Sequence, residues 1–125
     1  MYGVIPEDVR RLILTSIPSV PHLEALLLLR AERNTTWGTA LTARRLYISE
    51  KIAEQVLADL AEAGFIQPDS ANPPGYRYAP GSTEQAEAVE RLAIAYAHDL
   101  VEVTNLIHAK SAQLFADAFR FRRDS

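Results

Sequence analysis

Few residues in this chain have types and spacings that could do chemistry. Three histidines are present. His98 and Glu102 stand four apart on one expected helix face, with Asn105 three residues further on. A His-x-x-x-Glu pair offers two ligands where a zinc site takes three or four. His108 lies about 80° around the helix from His98, away from that pair. An exposed polar stripe is therefore expected, not a metal site. His22 opens a helix and is expected to make local contacts. Asp59 and Glu62 are neighbouring carboxylates with nothing in the sequence to raise a pKa, so a solvated face is expected. The sequence contains no Gly-rich phosphate loop, no His-Glu-x-x-His and no Gly-x-Ser-x-Gly. Trp37, Tyr76 and Tyr78 could line a ligand pocket, but core packing is the commoner use of such aromatics. No catalytic residue, metal site or cofactor is expected, and the reading is of a protein that is not an enzyme.

Composition narrows the class further. The chain has 125 residues, of which 48% are hydrophobic. That is enough for one domain with a real core. Cysteine is absent, which removes disulfides, thiolate nucleophiles and Cys-based metal centres. The first residues, Met1 to Asp8, lack the basic and apolar regions of a signal peptide. The leucine-rich apolar run, Ala25 to Leu29, is bounded by Glu24 and Arg30. A membrane span needs about 20 residues, so a soluble, cytoplasmic protein with no membrane partner is expected. Net charge is −3. Between residues 22 and 80, six cations (Arg30, Arg33, Arg44, Arg45, Lys51, Arg77) stand against seven carboxylates (Glu24, Glu32, Glu50, Glu54, Asp59, Glu62, Asp69).

Hydrophobic periodicity and caps define the elements. A first helix spans Pro6 to Ile17, with Val9, Leu12 and Ile13 on one face. A second, opened by Pro21 and running to about Arg33, is apolar nearly all round and therefore buried. A break around Trp37 includes a short strand. A third helix covers about Ala40 to Leu46. Ser49 caps a fourth, Glu50 to Ala63, with Ile52, Val56, Leu57 and Leu60 as its inner stripe. Gly64 is placed to stop it in the left-handed conformation. Phe65-Ile66-Gln67 and Tyr76-Arg77-Tyr78 form a two-stranded ribbon about a Pro/Gly-rich tip. Ser82 or Thr83 caps a last helix that meets neither proline nor glycine as far as Phe119. Val89, Ala93, Tyr96, Leu100, Val103, Ile107, Lys110 and Leu114 follow a heptad-like seam along it. Straight, it would extend about 55 Å, more than the ~26 Å across a small domain. Either it bends back on its own domain or, the favoured expectation, it builds a two-fold homodimer through residues about 83–119. The organisation is an N-terminal helix (1–21), a central unit (22–80) and a C-terminal long helix (81–125), in a mainly α (α+β) fold.

The central unit resembles winged helix-turn-helix regulators of the MarR and PadR groups. Leu46, Ile48 and Ser49 match the turn of such proteins. Leu60, Gly64, Phe65 and Ile66 match the junction into the wing, and Tyr76-Arg77-Tyr78 the returning wing strand. The resemblance covers about residues 22 to 80. It implies a small β-wing, a C-terminal dimerisation helix, and sequence-specific binding of double-stranded DNA as a homodimeric transcriptional regulator. Carried onto this chain, Ser49, Glu50, Lys51, Glu54 and Gln55 face the major groove, Arg44 and Arg45 hold phosphates, and Arg77 reaches the backbone or adjacent minor groove. The chain departs from the pattern in two respects. Tyr47 stands where glycine is frequent, with packing between helices as its expected use. The outward face of the fourth helix is acidic, and Glu50 and Glu54 would meet phosphates with like charge, although anions suit a helix N-terminus. The alternative expectation is a winged-helix interaction or adaptor module whose acidic helix, residues 50–63, binds a protein partner. Arg120, Arg122 and Arg123, interleaved with Phe119 and Phe121, make a basic tail whose simplest use is a solvated helix C-terminus.

Overall fold

The computed structural model describes residues 5–71 and 74–110. Helix α1 spans Glu7–Ser16, with Pro6 as its N-cap and Glu7 and Asp8 in the first turn, where anions suit the dipole. Helix α2 spans Val20–Ala31. The Ser19 hydroxyl accepts from the His22 amide, and Pro21 lies in the first turn, where a missing N–H costs nothing. Leu23, Ala25, Leu26 and Leu29 are buried, as an all-round apolar helix requires.

Helices α3 (Thr39–Leu46) and α4 (Glu50–Glu62) are joined by residues 47–49. Tyr47 ends α3 in the left-handed conformation, φ 57° and ψ 45°. Its helix end is closed by the Ile48 amide donating to the Ala43 carbonyl over 3.1 Å. Packing between helices is not what Tyr47 does: its side chain is 95% exposed. Ser49 caps α4, its hydroxyl accepting from the Ile52 amide over 3.1 Å. The same device recurs at the other end. Gly64 has φ 89°, and the Phe65 amide donates to the Leu60 carbonyl over 3.1 Å. Phe65 is thereby turned into the core, and the strand begins one residue later than the sequence suggests.

Strands β1 (Ile66–Asp69) and β2 (Gly75–Tyr78) pair antiparallel with Ile66 opposite Tyr78 and Asp69 opposite Gly75. Trp37 adds a single bridge to Tyr76, exchanging amide bonds of 2.8 and 2.9 Å. This close approach demands glycine at 75, where a Cβ would stand 2.5 Å from the Trp37 carbonyl oxygen.

Helix α5 spans Thr83–His98, capped by the Ser82 hydroxyl accepting from Gln85. The expected unbroken helix from 83 to 119 is not found. Asp99 leaves the helical region at φ −131° and ψ 52°, and a further helix, α6, covers residues 100–110. The physical reason is burial. Val89, Leu92 and Ala95 of α5 and Val103 and Ile107 of α6 all enter one core with Val9, Leu12 and Ile13 of α1. The Lys110 ammonium donates to the Ile13 carbonyl at 3.1 Å. The heptad-like seam is buried only in part, at Val89, Val103 and Ile107. Ala93 and Tyr96 are half-buried and Leu100 is exposed. Leu114, residues 111–119 and the basic tail lie outside the described residues.

The fold is thus mainly helical with one small antiparallel sheet. Its core joins α1, α2, α4, α5 and α6 through Ile13, Ile17, Leu26, Leu57, Leu60, Phe65 and Ile107, with Trp37 under the ribbon. Among the described residues no single helix is long and apolar enough to cross a membrane, and the apolar pair α1–α2 is bent by 115°.

Candidate functional site

The sequence points to the surface made by α3, the 47–49 turn, the start of α4 and the β ribbon. Helical geometry puts the outward positions of α4 at Glu50, Lys51, Glu54 and Gln55, and all four are exposed. Ala53, not Ile52, completes the buried stripe with Val56, Leu57 and Leu60. Ile52 is 47% exposed and belongs to the outward face. Spacing alone fits either residue. The small side chain faces inward, where α3 and α2 both pack on α4.

Arg44 and α4 share an open concavity of about 490 Å³, lined by Ala40, Ala43, Arg44, Ile48, Ser49 and Glu50. Arg44 and Lys51 are exposed and make no ion pair among the described residues. The two other candidate phosphate ligands are turned toward the body of the protein. Arg45 pairs with Glu32 at 2.6 Å and lies over the Trp37 ring at 5.3 Å. Arg77 donates to the Asn34 carbonyl at 2.9 Å and lies 3.4 Å from the Asp69 carboxylate. These are local anchors for the α2–α3 loop and the ribbon. Ser49 is occupied as a cap.

Gln55 belongs to a chain of hydrogen bonds that the sequence did not disclose. Its side-chain amide donates to Asp59 Oδ1 at 2.8 Å. Asp59 Oδ2 meets His22 Nε2 at 2.8 Å, and His22 Nδ1 meets the Ser19 hydroxyl at 2.6 Å. His22 is 8% exposed. Asp59 is therefore not a purely solvated carboxylate, and His22 is not only a local helix-start residue. The hydrogen bond from His22 holds the Asp59 carboxyl below the usual carboxylate range, reinforced by Gln55 and opposed by burial. The local half, Ser19 to His22, follows a three-residue cap spacing. The other half depends on α2 packing against α4, which no local pattern reveals.

The remaining candidates disperse. The break at Asp99 takes His98 and Glu102 off a common helix. Among the described residues, no group of three His, Asp or Glu side chains could hold a metal ion. Trp37 is wholly buried, a core residue. Tyr78 lies under the Arg33 guanidinium at 5.3 Å, and burial raises its phenol pKa. Beside it Arg30 grips Glu90 through two hydrogen bonds of 2.8 and 2.6 Å. That fork holds the Glu90 carboxyl below its ordinary range and ties α2 to α5.

No protein-family model matches the chain, and neither the curated proteins nor the solved structures contain a match.

Proposed function

We propose that the chain is a winged helix-turn-helix protein that binds double-stranded DNA as a homodimer and acts as a transcriptional regulator. The observation that carries this reading is the exposed α3–turn–α4 surface, on which Arg44 and Lys51 stand without ion pairs among the described residues, next to an antiparallel ribbon that serves as the wing. Ser49, Glu50, Lys51, Glu54 and Gln55 then face the major groove, with Lys51 and Gln55 able to donate to base edges and Arg44 to phosphate. Arg45 and Arg77 join by exchanging partners. Their present ion pairs are solvent-exposed surface pairs, which cost little to exchange. A glutamate at position 50 or 54 accepts from a cytosine amino group.

A second reading, a winged-helix module that docks a protein, is favoured by Glu50 and Glu54, which make no ion pair among the described residues, and by the exposed Ile52 beside them.

Fluorescence anisotropy against mixed genomic duplex fragments, at low and at physiological salt, separates the two. The DNA reading expects binding that weakens steeply with salt and is unchanged or tightened by Glu50→Gln and Glu54→Gln. Absence of binding at low salt, with a protein partner lost on the same substitutions, establishes the second reading instead.

A further inference from the structure

We infer that Tyr47 is itself a DNA-contact residue, its phenol hydroxyl donating to a phosphodiester at the edge of the groove entered by α4. This rests on the duplex-DNA reading and adds a residue to it.

Three observations converge on that side chain. Tyr47 is the only non-glycine residue with positive φ among the described residues. The left-handed region is disfavoured for a side chain of this kind, and glycine or asparagine would close α3 at lower cost. Its side chain is also, among the described residues, the most exposed of the large apolar and aromatic ones, at 95%, so it returns no packing in exchange. No hydrogen bond or ring contact to it is found among the described residues. A strained backbone position carrying an almost fully solvated aromatic is not explained by stability, and strain of this kind gathers at functional sites.

Position narrows the partner. Tyr47 stands two residues before the α4 cap Ser49. Arg44, three residues back, and Lys51, four residues on, are the cations without an ion pair on this surface. A neutral phenol donor flanked in sequence by two such cations matches a phosphate oxygen, a common acceptor for tyrosine in protein–DNA contacts. The same residue facing a protein would act as a buried anchor. Salt dependence tells the two chemistries apart.

The test uses the full chain and the mixed duplex fragments, with Tyr47→Phe, Tyr47→Gly and Arg44→Ala. Tyr47→Phe keeps the ring and backbone and removes one oxygen, and we expect about a tenfold loss of affinity with the salt slope unchanged. Arg44→Ala should lower the slope by about two, because each of the two protomers loses a phosphate-neutralising charge. Tyr47→Gly should raise Tm by about 3 °C while losing at least as much affinity as Tyr47→Phe, the opposite signs marking a side chain kept for binding. Wild-type binding that Tyr47→Phe and Tyr47→Gly both leave intact overturns the assignment and spares the DNA reading. Failure of the wild-type chain to bind any duplex at low salt overturns both.

Discussion

At the scale of single residues, the Ser19–His22–Asp59–Gln55 chain shows how a buried polar group is retained. Both imidazole nitrogens have partners, so His22 leaves no unsatisfied atom in the α2–α4 contact. Replacing it with alanine removes the imidazole partner of the Asp59 carboxylate and of the Ser19 hydroxyl and leaves a gap in the α2–α4 contact. We expect a loss of about 1–3 kcal/mol, read as a lower denaturation midpoint at unchanged m-value. The pH dependence follows from Asp59. Its folded-state pKa lies below the unfolded value of about 3.9, so the folded state binds fewer protons there. Its contribution is fully present above that unfolded value and is lost as pH falls through the lower, folded-state value. Asp59→Asn should therefore lower stability at neutral pH and shrink the gap from wild type in strong acid. A gap that stays constant between pH 6 and 2.5 would rule out this carboxylate as the source. The Arg44–Arg45 pair makes a second point at this scale. The two are indistinguishable in sequence, yet Arg45 is folded onto Glu32 and Trp37 while Arg44 faces solvent. Arg45→Ala should consequently lower stability more than Arg44→Ala does, by up to about 1 kcal/mol, with thermal melts as the measurement.

At the scale of elements, the ribbon depends on backbone contact rather than on side chains. Trp37 and Tyr76 exchange two amide bonds, and Gly75 leaves room for the Trp37 peptide to approach. Gly75→Ala would put a methyl against backbone that cannot step aside, and we expect a cost of about 1–3 kcal/mol. The chemical-shift signature of the Trp37–Tyr76 bridge should be lost with it, and a bridge that survives the substitution would refute the close-packing account. The same contrast explains what could be read in advance. Helices α1 to α4, both serine caps of α4 and α5, the left-handed Gly64 and the Trp37 break all have local causes, such as cap chemistry, proline geometry and apolar spacing. The break at Asp99 has no such cause. No proline or glycine marks it, and both halves are good helix formers. It exists because α1 offers α5 and α6 one shared core, a tertiary demand that overrides propensity. Choosing Ala53 over Ile52 for the inner stripe has the same origin, since 52, 56, 57, 60 and 53, 56, 57, 60 fit the helical period almost equally. The candidate site was legible only as a set of positions. Which arginines are free, and that Tyr47 stands outside the packing, are decided by neighbours distant in sequence.

At the scale of the whole molecule, the bend at Asp99 changes the basis for a homodimer. A straight helix needs a partner to cover its length, whereas the bent pair α5–α6 already buries one face on its own domain. What is left outside among the described residues of α5 and α6 is Ile94 at 60%, Leu100 at 51% and Val101 at 65% exposure, on either side of the bend in sequence. Three large apolar side chains exposed within eight residues give a two-fold contact apolar surface to bury, and such a contact would place each against its own copy or a neighbour of it. The seam of such a dimer would therefore centre on the bend and not run the length of residues 83–119. Charges placed there test this without touching the core: Ile94→Glu combined with Val101→Glu should leave the helical signal and Tm of the monomer unit intact while shifting the mass in sedimentation from two chains to one. On the proposed duplex-DNA reading, in which a dimer meets two half-sites with one two-fold axis, the same variant should bind duplex with about half the salt slope of wild type, each protomer keeping its own phosphate contacts. A variant that sediments as wild type does would move the dimer contact elsewhere. One that becomes monomeric yet keeps the full slope would show that a single α3–α4 surface makes all the phosphate contacts.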